Sequence, residues 1–165
     1  MKKNKLLSVA LLAAAWLTTG SVHAWDEPAQ DANGVYQIGT ASELEWFAEY
    51  VNSCVTGDEA GNTIKLQSKA VLTADIDLEG ITHSPIGVST AFKFDGEFDG
   101  QHHRIKNMII NNNLENQGFF GCIRGNAIIK NIIIDKSCSI TAGNRAAGLI
   151  GTLQTAADGK CRILN

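Results

Sequence analysis

Ile105-Lys106-Asn107-Met108-Ile109-Ile110-Asn111 and Ile129-Lys130-Asn131-Ile132-Ile133-Ile134-Asp135 carry one short pattern twice, and Ile163-Leu164-Asn165 opens a third copy. Between the copies stand Gly118-Phe119-Phe120-Gly121 and Gly148-Leu149-Ile150-Gly151. The order is therefore Ile-x-Asn, an apolar run, a variable loop, Gly-apolar-apolar-Gly, and Ile-x-Asn again. The Ile-x-Asn copies recur 24 and then 34 residues apart, the Gly-flanked copies 30 apart. A fixed motif order with loops of variable length is the signature of stacked repeats, because insertions bulge outward while the strands stay paired. Runs of Ile suit a pleated, half-buried surface. Gly and Asn at the corners tolerate the left-handed backbone of a tight bend.

Outward from that core, the N-terminal part reads differently. Tyr36-Gln37-Ile38 is a short strand, and Ser42 with Glu45 forms a capping box at the start of a helix. Leu44, Phe47, Ala48 and Val51 then make one apolar stripe, with Trp46 and Tyr50 beside it. A loop holding Gly57 and Gly61 follows. From residue 63 the character is β: Ile64-Lys65-Leu66, Val71-Leu72-Thr73 and the alternating Asp75-Ile76-Asp77-Leu78. These signals predict a mainly β chain, a right-handed parallel β-helix (solenoid) with one short N-terminal capping α-helix. Its divisions are a signal peptide over 1–24, a lead-in segment and capping helix over 25–62, and a repeat region over 63–165 that ends inside a coil, as a fragment of a longer repeat protein would. A β-sandwich is the alternative. It would place hairpins at Asp95-Gly96, Asp99-Gly100 or Asp158-Gly159. In the coil reading, Ile105 lies near Ile129 and Ile129 near Ile163, and the open final coil promotes self-association.

The leader sets the compartment. Lys2, Lys3 and Lys5 precede an apolar stretch from Leu6 to Leu17, and Val22 and Ala24 stand at −3 and −1 of a cleavage point. That is the three-part layout of a secretory signal, and its apolar stretch is shorter than the about 20 residues a bilayer requires. The expected location is secreted or cell surface, with no membrane span after cleavage. The whole sequence carries −3; without the three leader lysines the remainder is more acidic still. An acidic chain with no basic cluster argues against nucleic acid as a partner. Cys54, Cys122, Cys138 and Cys161 show no Cys-x-x-Cys spacing and read as structural thiols, although an oxidising compartment permits pairing.

Several motifs occur in a fixed order: Tyr36-x-Ile38, Ser42-Glu43-Leu44, Leu72-Thr73-Ala74-Asp75-Ile76-Asp77-Leu78, Pro85-Ile86-Gly87, Phe94-x-Gly96-x-Phe98-Asp99-Gly100, and the two Gly-flanked pairs. In that order the chain resembles bacterial secreted proteins with GLUG-type repeats, many of them adhesin-like. The resemblance spans about residues 34–165. It implies a β-helical shaft and a surface glycan or other extracellular ligand as partner, and it implies no catalytic site or cofactor.

Two acidic stretches are the candidates for chemistry. Asp75, Asp77 and Glu79 have the spacing that begins a calcium loop, but the twelfth position is Ile86, where a bidentate acid belongs. Asp95, Glu97 and Asp99 alternate with Gly96 and Phe98, so an extended strand puts three carboxylates on one face. His102, His103, Arg104 and Lys106 follow. Paired acids with a nearby base are the equipment of glycosidases and polysaccharide lyases, so the rival reading is a carbohydrate-active enzyme using Asp95, Glu97, Asp99 and Arg104. The leading reading is a non-enzymatic exported module for surface display, adhesion or glycan contact.

Overall fold

The computed structural model describes residues 24–55, 57–154 and 159–165. The chain runs β1 (Ala29–Gln30), β2 (Val35–Ile38), α1 (Ala41–Asn52), α2 (Glu59–Leu66), β3 (Lys69–Leu72), β4 (Ile76–Asp77) and β5 (Glu97–Asp99). It continues through β6 (Arg104–Lys106), β7 (Ile109–Asn111), β8 (Phe120–Arg124), β9 (Ile128–Lys130), β10 (Ile133–Ile134), β11 (Ser139–Thr141), β12 (Ile150–Gln154) and β13 (Arg162–Leu164). The signal-peptide residues other than Ala24, and Asp158 of the third Asp-Gly step, lie outside the described residues.

The parallel β-helix expectation is not met. The strands fall into separate small sheets: a six-stranded mixed sheet in the order β1-β2-β3-β5-β9-β13, a three-stranded sheet β10-β6-β4, and the pairs β11-β7 and β12-β8. The physical reason is punctuation. No strand exceeds five residues, because Asn107 and Asn131 (each φ 54°), Asn116 and the Gln101-His102 pair turn the backbone into the left-handed region. Each β-branched run is cut before it can lengthen. The six-stranded sheet is mixed because β1 lies antiparallel on β2; the segment before Tyr36 is thus tied into the sheet instead of forming a loose lead-in. There are two helices, not one.

Pairing elsewhere is parallel, with partners 28 to 34 residues apart. Phe98 pairs with Ile129, and Ile129 with Ile163. Ile76 pairs with Ile105, and Ile105 with Ile134. The expected neighbourhood of Ile129 and Ile163 is therefore present, whereas Ile105 and Ile129 belong to different sheets. Their 24-residue offset joined two chemically similar but structurally unrelated segments. The Gly-flanked motifs do correspond, with Phe120 opposite Ile150. Asp95-Gly96 and Asp99-Gly100 form no antiparallel hairpin, because the only pairing of β5 is parallel, to β3 and β9.

The helices differ from the sequence reading in detail. Thr40 is the N-cap of α1: its hydroxyl accepts from Glu43 N (3.2 Å) and the Glu43 carboxylate accepts from Thr40 N (3.0 Å). The capping box thus begins two residues before Ser42, whose hydroxyl instead accepts from Asp26 N at 2.8 Å. Residues 59–66, read as loop and strand, are helical. Gly61, Asn62 and Thr63 are weak helix formers, but Asp58 caps Gly61 N at 3.0 Å. Asn62 also exchanges two hydrogen bonds with the Val55 backbone, at 2.7 and 3.0 Å. These tertiary contacts override propensity.

The core lies between α1 and the sheets. Phe47 of α1 meets Phe98 and Phe94 at 6.0 and 6.3 Å between ring centroids, and Phe98 meets Phe119 and Phe120 at 5.5 and 5.4 Å. All five rings are fully buried, and each contributes about 1.5–3 kcal/mol of burial. Leu44, Ala48 and Val51 bury the stripe that the sequence predicts. Burial fades toward the last strand of each sheet: Phe98 and Ile129 are inside, whereas Ile163 is 50% exposed.

Candidate functional site

Both acidic stretches alternate as expected. Ile76, Leu78, Phe94 and Phe98 point into the core, so Asp75, Asp77, Asp95, Glu97 and Asp99 lie on the outer face. What each carboxylate meets there is another part of the same framework, about 30 residues further along the chain.

Asp77 Oδ1 accepts from Asn107 Nδ2 at 2.8 Å and from Glu79 N at 3.0 Å. Asp99 Oδ1 repeats the arrangement with Asn131 Nδ2 at 3.0 Å and Gln101 N at 2.9 Å. In both cases the acid closes a tight turn on its own backbone and receives the amide of a left-handed Asn from the neighbouring strand. The Asn of each Ile-x-Asn motif is therefore a corner and a cross-strand anchor together. Asp75 and Asp95 act on backbone donors: Asp75 Oδ1 accepts from Arg104 N, and Asp95 Oδ1 from Asn126 N, each at 2.9 Å.

Lysines complete the face. Lys106 Nζ lies 2.7 Å from Asp75 Oδ2. Lys130 Nζ lies 2.8 Å from Glu97 Oε1 and 3.5 Å from Asp99 Oδ2, and Lys69 stands 4.0 Å from the other Glu97 oxygen. His103 Nδ1 is 3.4 Å from Asp75 Oδ1. These contacts set the charge states. The Lys106 hydrogen bond, helped by the Arg104 N–H, holds the Asp75 carboxyl down at about 2. The Asn107 amide and then the Glu79 N–H lower Asp77. For Asp99, burial pushes upward but is outweighed by the Gln101 N–H, the Asn131 amide and Lys130, so its carboxyl also lies below the ordinary value. Glu97 in turn raises Lys130, and Asp75 raises Lys106.

The four residues of the enzyme reading are not brought together. Glu97 and Asp99 sit on β5 in the six-stranded sheet, with Asp95 just before it. Arg104 is on β6 in another sheet, where its guanidinium lies 3.5 Å from Asp135. Asp75, Asp77 and Glu79 form no metal-binding group: among the described residues no cluster of three His, Cys, Asp or Glu could hold an ion. The four cysteines carry free thiols; Cys122 is buried, and Cys138 Sγ donates to Ile105 O at 3.2 Å.

One polar pair escaped the sequence reading. Glu45 of α1 and His83 are both buried, and His83 Nδ1 lies 2.6 Å from Glu45 Oε1. His83 Nε2 lies 3.0 Å from the carbonyl oxygen of Phe119, an acceptor only, so Nε2 carries a hydrogen. A second proton lies between Nδ1 and the carboxyl oxygen. Glu45 Oε2 accepts from Ser84 N at 2.9 Å, and the imidazole stacks on Phe119 at 5.3 Å. One helix turn-pair further on, Asn52 binds the same loop: it donates to Pro85 O and accepts from Gly87 N and Val88 N. Glu45 and Asn52 are seven residues apart, hence on one helical face, and that spacing was the available signal. Beside them opens a groove of about 460 Å³, bordered by Thr82, Ser84, Asn112 and Gln117 together with the exposed Val88 and Leu114.

Comparison with protein-family models, curated proteins and solved structures gives no match to this chain.

Proposed function

We propose that the chain is an exported, non-catalytic module for surface display or adhesion, of the kind its motif order resembles in GLUG-type secreted proteins. Its ligand in this reading is a glycan or another extracellular molecule. The observation that carries the reading is the engagement of the acids: Asp75, Asp77, Asp95, Glu97 and Asp99 each bind an amide or ammonium of the adjacent strand. A glycosidase needs one carboxyl kept protonated by a raised pKa. The shifts at Asp75, Asp77 and Asp99 all run downward. A lyase would want a base beside the acids, and Arg104 faces Asp135 instead. The groove by Asn112 and Gln117 offers amides and hydroxyls next to aliphatic carbon, a surface that suits sugar rings. The leader motif supports export.

The test is a glycan array run alongside turnover assays on acidic and neutral polysaccharides. Binding weakened by substitution of Asn112, without product release, is expected. Calcium-dependent release of unsaturated sugars, abolished by Asp99→Asn, would overturn the reading in favour of an enzyme.

A further inference from the structure

All four sheets end on their last-formed strands at one extremity of the chain: β10, β11, β12 and β13 each have a neighbour on one side only. In the largest sheet the inward column runs Tyr36, Ala70, Phe98, Ile129, Ile163. The first four are buried, and Ile163 is half exposed. A cavity of about 220 Å³, bordered by Ile129, Ile132, Leu149, Ile163 and Leu164, opens beside it. The outer N–H and C=O groups of β13 have no strand partner among the described residues, and such an edge templates a further strand.

Charge indicates the occupant. Residues 131–165 contain Lys136, Arg145, Lys160 and Arg162 against Asp135 and Asp158, a basic segment in an acidic chain. Arg145 is paired with Glu115, but Arg162 has no ion-pair partner among the described residues and stands next to Ile163 on the outer face. In the equivalent row, Lys69 and Lys130 flank Glu97. The opposite end of this sheet is covered by the antiparallel β1, so one copy cannot add its first strand to the last strand of another. Two copies meeting through their basic ends would oppose like charges.

We propose that the β13 edge binds an extended segment of a different, acidic polypeptide by parallel strand addition. The segment carries Asp or Glu opposite Arg162 and an aliphatic or aromatic residue opposite Ile163. The sequence reading expected self-association at this end; the charge of the face selects a different partner. The inference is independent of whether the module contacts a glycan.

A peptide of residues 94–101 is a suitable probe, because its Glu97-Phe98-Asp99 core already pairs with two lysine-bearing strands inside the fold. Fluorescence anisotropy of the labelled peptide with the purified chain should show saturable binding. Charge reversal in the peptide (Glu97→Lys, Asp99→Lys) or in the protein (Arg162→Glu) should each weaken it by about five-fold or more. Reversing both should restore it. Arg162 is exposed, so Arg162→Glu leaves the fold intact, as circular dichroism will verify. No saturable binding, equal binding of the reversed peptide, or a dimer in sedimentation velocity that Ile163→Asp dissolves would each overturn the proposal.

Discussion

Asn131 donates its side-chain amide to Asp99 Oδ1 at 3.0 Å across two strands whose sequences lie 32 residues apart, and Asn107 does the same to Asp77 at 2.8 Å. The recurrence explains why Asn closes the Ile-x-Asn motif. It supplies a left-handed corner at φ 54° and reaches the carboxylate that closes the preceding turn. A residue without that amide would keep neither function, since only Gly shares the corner's backbone freedom and Gly has no donor.

Acid should loosen the outer face before the core. Asp75 is held at about 2 against an ordinary 3.8, and Asp77, Asp99 and Asp135 are also lowered. Carboxyls depressed in the folded state stabilise it fully above their unfolded values, and that contribution is lost as pH falls from about 4 toward 2. Thermal unfolding should therefore be flat near neutrality and drop in that acid window. Asp75→Asn should shrink the drop. An acid profile unchanged in Asp75→Asn would disprove the assignment.

The buried pair makes a sharper demand. Removing one partner leaves a polar group without compensation, which costs about 3–5 kcal/mol in a buried pair. His83→Leu and Glu45→Leu should each destabilise by that order, measured by chemical denaturation. The double replacement should cost less than the sum, because no orphan remains. Additive losses would mean that the two side chains are not coupled.

Phe98 is the hub of the ring cluster. Phe98→Ala should cost about 3–5 kcal/mol, as for other fully buried aromatic truncations. A loss below about 1 kcal/mol would mean that the rings do not enclose it.

Gly87 has φ 74°, and a Cβ there would collide with the carbonyl oxygen of Cys122. Gly87→Ala should destabilise through both strain and displacement of β8, whose Cys122 N–H bonds Gly87 O at 2.6 Å. Retained stability in that variant would require a different path for the 85–88 loop.

Much of the local structure was legible. The α1 stripe, the alternation at 75–78 and 94–99, and the parallel match of the Gly-flanked motifs all follow from periodicity. The sheet plan was not. Isoleucine runs look alike whichever sheet they join, so the 24-residue likeness of Ile105 and Ile129 concealed true partners at Ile76, Ile134, Phe98 and Ile163. Helix α2 was hidden because its cap and the Asn62–Val55 contacts are tertiary. At the candidate site, the shared face of Asp95, Glu97 and Asp99 was readable from a period of two. Their partners were not, because each lies on a strand about 30 residues away.

The central claim is that the carboxylates on this face hold strands together. A double-mutant cycle on Asp99→Ala and Asn131→Ala, followed by urea unfolding, measures it directly, since the cycle cancels the backbone preference lost at residue 131. The account predicts that each single change destabilises and that the pair shows a coupling of about 0.5–1.5 kcal/mol, the net worth of a hydrogen bond. Coupling near zero, or a gain in stability on removing Asp99, as when a strained active-site acid is deleted, would contradict it.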